Sequence, residues 1–184
     1  PDATSRLLAD LALALDAARA NQNAWLQAEL LHLRCAVHLS QGDPARASAD
    51  GEAASAQYAR LGLSTQRRQL LPLYAEAQQN LGADERAAAM WRELTPQSPH
   101  ELDAEPDAGR RAEVAEQTAR ALSALVELEL QHGRLLDAQD VLWEGREWLA
   151  ALMRHEHEQR TARTPWWWLL TDSVWRLRAA QVWI

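Results

Sequence analysis

The sequence predicts an all-α fold: about eight helices, paired and stacked as a solenoid, with a Trp-rich helix closing the C-terminal end. Three observations predict it. Ala and Leu dominate the 184 residues, Gly and Pro number seven each, and β-branched residues are few, which favours helix over strand. Apolar residues recur at intervals of three and four, and no stretch alternates with period two for long enough to make a strand. The chain also repeats itself around glycines that close helices.

The elements follow in order. Leu7, Leu8, Leu11, Leu13 and Leu15 give residues 3–20 an amphipathic pattern, broken at "NQN" (21–23). A second helix runs from about Ala24 to Ser40. In "QGDPARA", Gly42 suits the left-handed position after a helix, Asp43 an N-cap and Pro44 a first turn, so a third helix reaches about Arg60 before Gly62. Ser64 is the expected cap of a fourth helix ending near Asn80, with Pro72 expected to kink it or delay its start. A fifth spans about 84–95. The acidic, Pro-rich 95–109 reads as a loop. Two long helices, about 110–132 and 135–158, split at Gly133, and Thr164-Pro165 opens a last one over 165–183.

Gly42, Gly82 and Gly133 set the repeat. Five residues after each stand Ala47, Ala87 and Ala138, small enough for close helix approach. Four further on are Gly51, Trp91 and Leu142, then Ala54, Leu94 and Gly145. The larger residues fill the space between layers, and Gly51 and Gly145 are expected to weaken that filling. The spacing resembles the tetratricopeptide repeat, with units of about 24–62, 64–95 and 110–158 in a single domain. Where that family places Gly-x-x-Tyr, this chain has Cys35-x-x-His38, Ala75-x-x-Gln78 and Val126-x-x-Glu129. The period, 40 then 51 residues, is similar to that of the long-helix sensor domains of large bacterial transcriptional activators and related signalling ATPases. The resemblance implies a right-handed solenoid whose first helices line a concave face.

Stacked repeats leave an apolar flank at each end of the array. The segment 165–183 answers that need. Trp167, Leu170, Val174 and Leu177 make one stripe, and Trp168, Trp175, Ala179 and Val182 a second, so the helix suits packing on two sides. Trp167, Trp168 and Trp175 could instead serve an interface or self-association. Pro1 at one end and Val182-Trp183-Ile184 at the other read as the limits of a piece of a longer protein.

Charge and motif narrow the function. The net charge is −7 and the nineteen basic residues, all Arg, are scattered among acids, which argues against nucleic acid. The absence of Lys reads as codon bias in a GC-rich, bacterial genome. No run approaches the ~18 apolar residues of a membrane span, and the single Cys35 points to a reducing, cytoplasmic setting. His32, Cys35 and His38 lack the further ligands of a metal site, and His155, His157 and Glu158 suit a helix end. The alternating acids from Glu101 meet Pro106 and Ala112 where a calcium loop needs Gly and Glu. No catalytic or cofactor motif is present.

The sequence therefore predicts a protein-binding or scaffold module with no cofactor and no enzymatic site. A ligand-sensing regulatory domain is the alternative, and a helical enzyme a third reading. By the resemblance, the concave face carries Glu29, His32, Gln69, Glu76, Gln79, Asn80, Arg120, Glu127 and Gln131. The family's basic carboxylate clamp is not reproduced, because Ala36, Pro72, Glu76, Ser123 and Glu127 stand at its positions. Glu29, Glu76 and Glu127 on that face favour a basic or amide-bearing partner.

Overall fold

A computed structural model describes residues 3–95 and 107–158. Seven helices and no strand occur among them. These are α1 (Ala3–Ala20), α2 (Ala24–Ser40), α3 (Pro44–Arg60), α4 (Ser64–Asn80), α5 (Asp84–Leu94), α6 (Ala108–Gln131) and α7 (Leu135–Glu158). The expected eighth helix, 165–183, and with it Trp167, Trp168 and Trp175, lies outside the described residues. Among the described residues no helix is long and apolar enough to cross a membrane. The chain divides into two compact units, 1–90 and 91–184, and the boundary falls inside α5.

One turn chemistry makes all five short connections. Gln22, Gly42, Gly62, Gly82 and Gly133 take positive φ, between 52° and 72°. At Gly42 the glycine N–H donates to the Leu39 carbonyl (3.0 Å) and the Asp43 N–H to the His38 carbonyl (2.9 Å). The same two bonds recur at the other four turns, satisfying carbonyls that a helix end leaves unpaired. Their regularity starts α2, α3, α4 and α5 twenty residues apart, at Ala24, Pro44, Ser64 and Asp84. The residue four before each positive-φ position, whose carbonyl accepts from the residue just after that position, is buried every time: Ala18, His38, Tyr58, Gln78 and Glu129.

N-caps complete the pattern. Asn23, Asp43 and Asp107 each accept from the backbone N–H three residues on. Asp107 starts α6 at Ala108, slightly ahead of the expected residue 110. At α4 the expectation fails. Leu63 holds the cap position without a side-chain bond, and Ser64 is already the first helical residue. Nor does Pro72 delay the start. It is buried inside α4, where the lost backbone bond is offset by burial of Leu70, Leu71, Tyr74, Ala75 and Ala77 around it.

In the first unit α1 packs on α2, α2 on α3, α3 on α4, and α2 also on α4. Leu15, Leu31, Cys35, Ala54, Tyr58 and Leu70 are central to its core. Only part of the leucine pattern of α1 serves it: Leu11, Leu15 and Ala18 are buried, whereas Leu7 and Leu13 are exposed. Ala47, Ala87 and Ala138 are fully buried, as their spacing predicts. Gly51 does not weaken the packing as expected. A Cβ there would lie 2.9 Å from the Tyr74 ring, so the missing side chain admits an aromatic from α4. In the second unit α6 packs on α7 around Ala115, Ala119, Leu122 and Trp148, with Val126 and Ala138 nearer the turn.

Candidate functional site

The expected binding residues fall on three helices. Glu29 and His32 lie on α2, Gln69, Glu76, Gln79 and Asn80 on α4, and Arg120, Glu127 and Gln131 on α6. Gln69, Asn80, Arg120, Glu127 and Gln131 are exposed, while Glu29, His32, Glu76 and Gln79 are half-buried. None is a core residue. The first six belong to the first unit and the last three to the second.

Glu29 and His32 are brought together by a residue that the sequence reading passed over. Tyr58, near the end of α3, is fully buried, yet its hydroxyl donates to Glu29 Oε1 at 3.1 Å and lies 3.3 Å from His32 Nδ1. The two rings meet edge to face, with centroids 6.1 Å apart. Burial, then the charge and hydrogen bond of Glu29, raise the phenol well above its usual range, so it stays protonated and donates. Burial lowers the pKa of His32 against the opposing charge of Glu29, which keeps the imidazole neutral near pH 7. The result is a carboxylate positioned by a core tyrosine and not neutralised by its histidine neighbour.

The other polar residues of α2 point elsewhere. His32, Cys35 and His38, close in sequence, go to three different places. Cys35 is fully buried, and burial, with Asp50 and Glu76 adding to it, pushes its thiol up to about 12, so it is no nucleophile at neutral pH. His38 meets Asp50 of α3, with Nε2 3.8 Å from Oδ2. Arg34 binds the same carboxylate with two bonds of 2.7 and 2.6 Å. Gln78, four residues before Gly82 as His38 is before Gly42, donates to Ser48 Oγ at 2.7 Å. Glu129 holds that place in the second unit, bonded to Arg134 and 3.7 Å from Arg92.

These contacts occupy His38, Gln78 and Glu129, the positions where the resemblance implies an aromatic residue. A polar side chain is buried at each of the three sites, and each has a polar partner from another helix or across its own turn. They are fastenings between helices. The residues expected on the binding faces of α2, α4 and α6 are carboxylates, amides, one imidazole and one guanidinium, and α2 also exposes Trp25 and Leu33. A helix face with this inventory can bind and orient another chain through carboxylates and amides.

No known protein family, characterised protein or solved structure matches the chain.

Proposed function

We propose that the chain is a protein-interaction module of the tetratricopeptide kind. Its helix pairs stack as a right-handed solenoid, the segment 165–183 covers the terminal flank, and the first helices present the binding face. The observation that carries the reading is that α2 packs on α4 as well as on α3. Two first helices side by side, with the second helix behind both, make a continuous surface. Glu29 and Glu76 give that surface in the first unit its charge, as Glu127 does on α6, and like charges favour ligands of the opposite sign. The partner is an extended or helical protein segment carrying basic or amide groups.

A peptide array probed with the full chain at low and high salt tests this. Binding selects basic or amide-rich peptides, weakens with salt, and falls in the Glu76→Arg plus Glu127→Arg variant, which reverses one charge in each unit. Preference for acidic peptides, or undiminished binding by the variant, refutes it. Because Glu127 is exposed and Glu76 only half-buried, the fold should lose no more than about 1 kcal/mol.

A further inference from the structure

Two tryptophans of the described residues are strongly exposed, Trp25 on α2 (51 %) and Trp143 on α7 (65 %). Their surroundings differ. Arg146, one turn after Trp143, lays its guanidinium over the indole, 4.9 Å from the ring centroid. No cation covers Trp25 among the described residues. What stands one turn after Trp25 is Glu29. Side chains four apart on a helix are neighbours, with Cβ atoms about 6 Å apart.

Glu29 is a prepared carboxylate. Tyr58 holds Oε1 from the core, and Glu29 makes no other hydrogen bond among the described residues, so Oε2 is open to a donor. His32, its other neighbour, reaches the Tyr58 hydroxyl rather than the carboxylate. A negative oxygen fixed in place beside an exposed indole face matches a group that is cationic, flat or compact, and able to donate hydrogen bonds. Cations gain about 0.5–1 kcal/mol over an exposed indole, and charge-assisted bonds to a carboxylate are about twice as strong as neutral ones.

We propose that Trp25 and Glu29 form a subsite for the guanidinium or ammonium group of an arginine or lysine side chain in a partner segment. The subsite rests on the peptide-binding reading above and gives that face an anchor at the N-terminal end of α2. The cation lies on Trp25 as Arg146 lies on Trp143, and donates to Glu29 Oε2. Tyr58 is the positioning residue. It fixes the carboxylate and leaves one oxygen for the ligand.

The test uses the full chain and an array of Gly/Ser peptides carrying one arginine, lysine, citrulline or norleucine. Citrulline keeps the shape of arginine and part of its N–H donor set, without its charge. The parent should prefer arginine and lysine over citrulline and norleucine by about tenfold, the worth of one charge-assisted contact. Glu29→Gln still accepts from Tyr58 but should abolish the preference. Trp25→Ala should weaken binding of the basic peptides, and Trp25→Phe should restore part of it. Equal binding of arginine and citrulline peptides, unchanged preference in Glu29→Gln, or selection of norleucine overturns the subsite. The groove reading survives those results if the Glu76→Arg plus Glu127→Arg variant still loses binding. No binding of any peptide by the parent removes both.

Discussion

The pairs α2–α3 and α6–α7 are joined by the same turn and fastened differently. In α2–α3, helices of 17 residues are tied part-way along by Asp50, which takes two bonds from Arg34 of the facing helix. Carboxylate and guanidinium are both largely out of water there, with side-chain exposures of 9 % and 24 %. In α6–α7, helices of 24 residues enclose Trp148, and the buried Glu129 is tied across its own turn to Arg134. Its cations stay wet: Arg134 is 48 % exposed and Arg92 61 %. Both pairs have an apolar core, but the first adds a charge pair facing each other inside and the second a buried acid whose cations reach water. A buried acid is therefore not equally critical in the two places, because the cost of breaking a pair depends on how far water can replace the lost partner.

The largest expected difference follows directly. Arg34→Met strands the Asp50 carboxylate, whose other neighbour, His38, lies at 3.8 Å, so we expect a loss of about 3 kcal/mol. Arg134→Met leaves Glu129 with Arg92 at 3.7 Å and water nearby, and should cost about 1 kcal/mol. Urea unfolding of both variants measures the two numbers. Equal losses would break the comparison, because burial of the cation would then decide nothing.

Acid should act on the first pair through its histidines. Burial, the leading cause, lowers the pKa of both His32 and His38 below the ordinary 6.5. Below pH 6.5 the unfolded chain binds protons that the folded chain refuses. The stability these histidines contribute is thus present above pH 6.5 and lost as pH falls from there through their folded values. His38 has a particular reason to resist protonation: its Nδ1 is buried without a hydrogen-bond partner, and Asp50 is already occupied by Arg34. Thermal melts between pH 8 and 5 should show the decline, and His38→Leu should flatten it. A variant that keeps the full pH dependence would assign the effect to other groups.

Much of this architecture is legible in the sequence because it is local. The turn glycines, Asp43-Pro44 and the alanines five residues past each glycine fix helix limits that the structure reproduces closely. Contacts between helices are harder to read. Nothing in a single sequence tells that Tyr58 reaches Glu29, twenty-nine residues away, or that Gly51 makes room for Tyr74. The resemblance to the tetratricopeptide repeat implied a binding face with Glu29, His32, Gln69, Glu76, Gln79 and Asn80 but could not say which of them a buried group holds. One clue was available: Tyr58 stands four residues before Gly62, as His38 and Gln78 stand before theirs, and every such residue is buried. The residues after Glu158, with most of the tryptophans, lie outside the described structure.

The smallest effect concerns the α1–α2 turn, which has no glycine at the position where the other four have one. Gln22 has φ +52°, where Gly42, Gly62, Gly82 and Gly133 stand at the equivalent turns with φ near +70°. An L residue with a Cβ is strained there, by about 1 kcal/mol. Glycine removes the strain, although it adds freedom to the unfolded chain. The turn keeps both characteristic hydrogen bonds, Gln22 N–H to the Arg19 carbonyl and Asn23 N–H to the Ala18 carbonyl, so the strain is carried by the backbone angle alone. We expect Gln22→Gly to stabilise the chain by about 0.5 kcal/mol and Gly42→Ala to destabilise it by about 1 kcal/mol. At Gly42 a new Cβ would meet nothing within 4 Å, so packing contributes nothing to that loss. Paired urea titrations resolve the signs. If Gln22→Gly destabilises, the Gln22 side chain makes a contribution of its own, and the first turn is not simply an imperfect copy of the others.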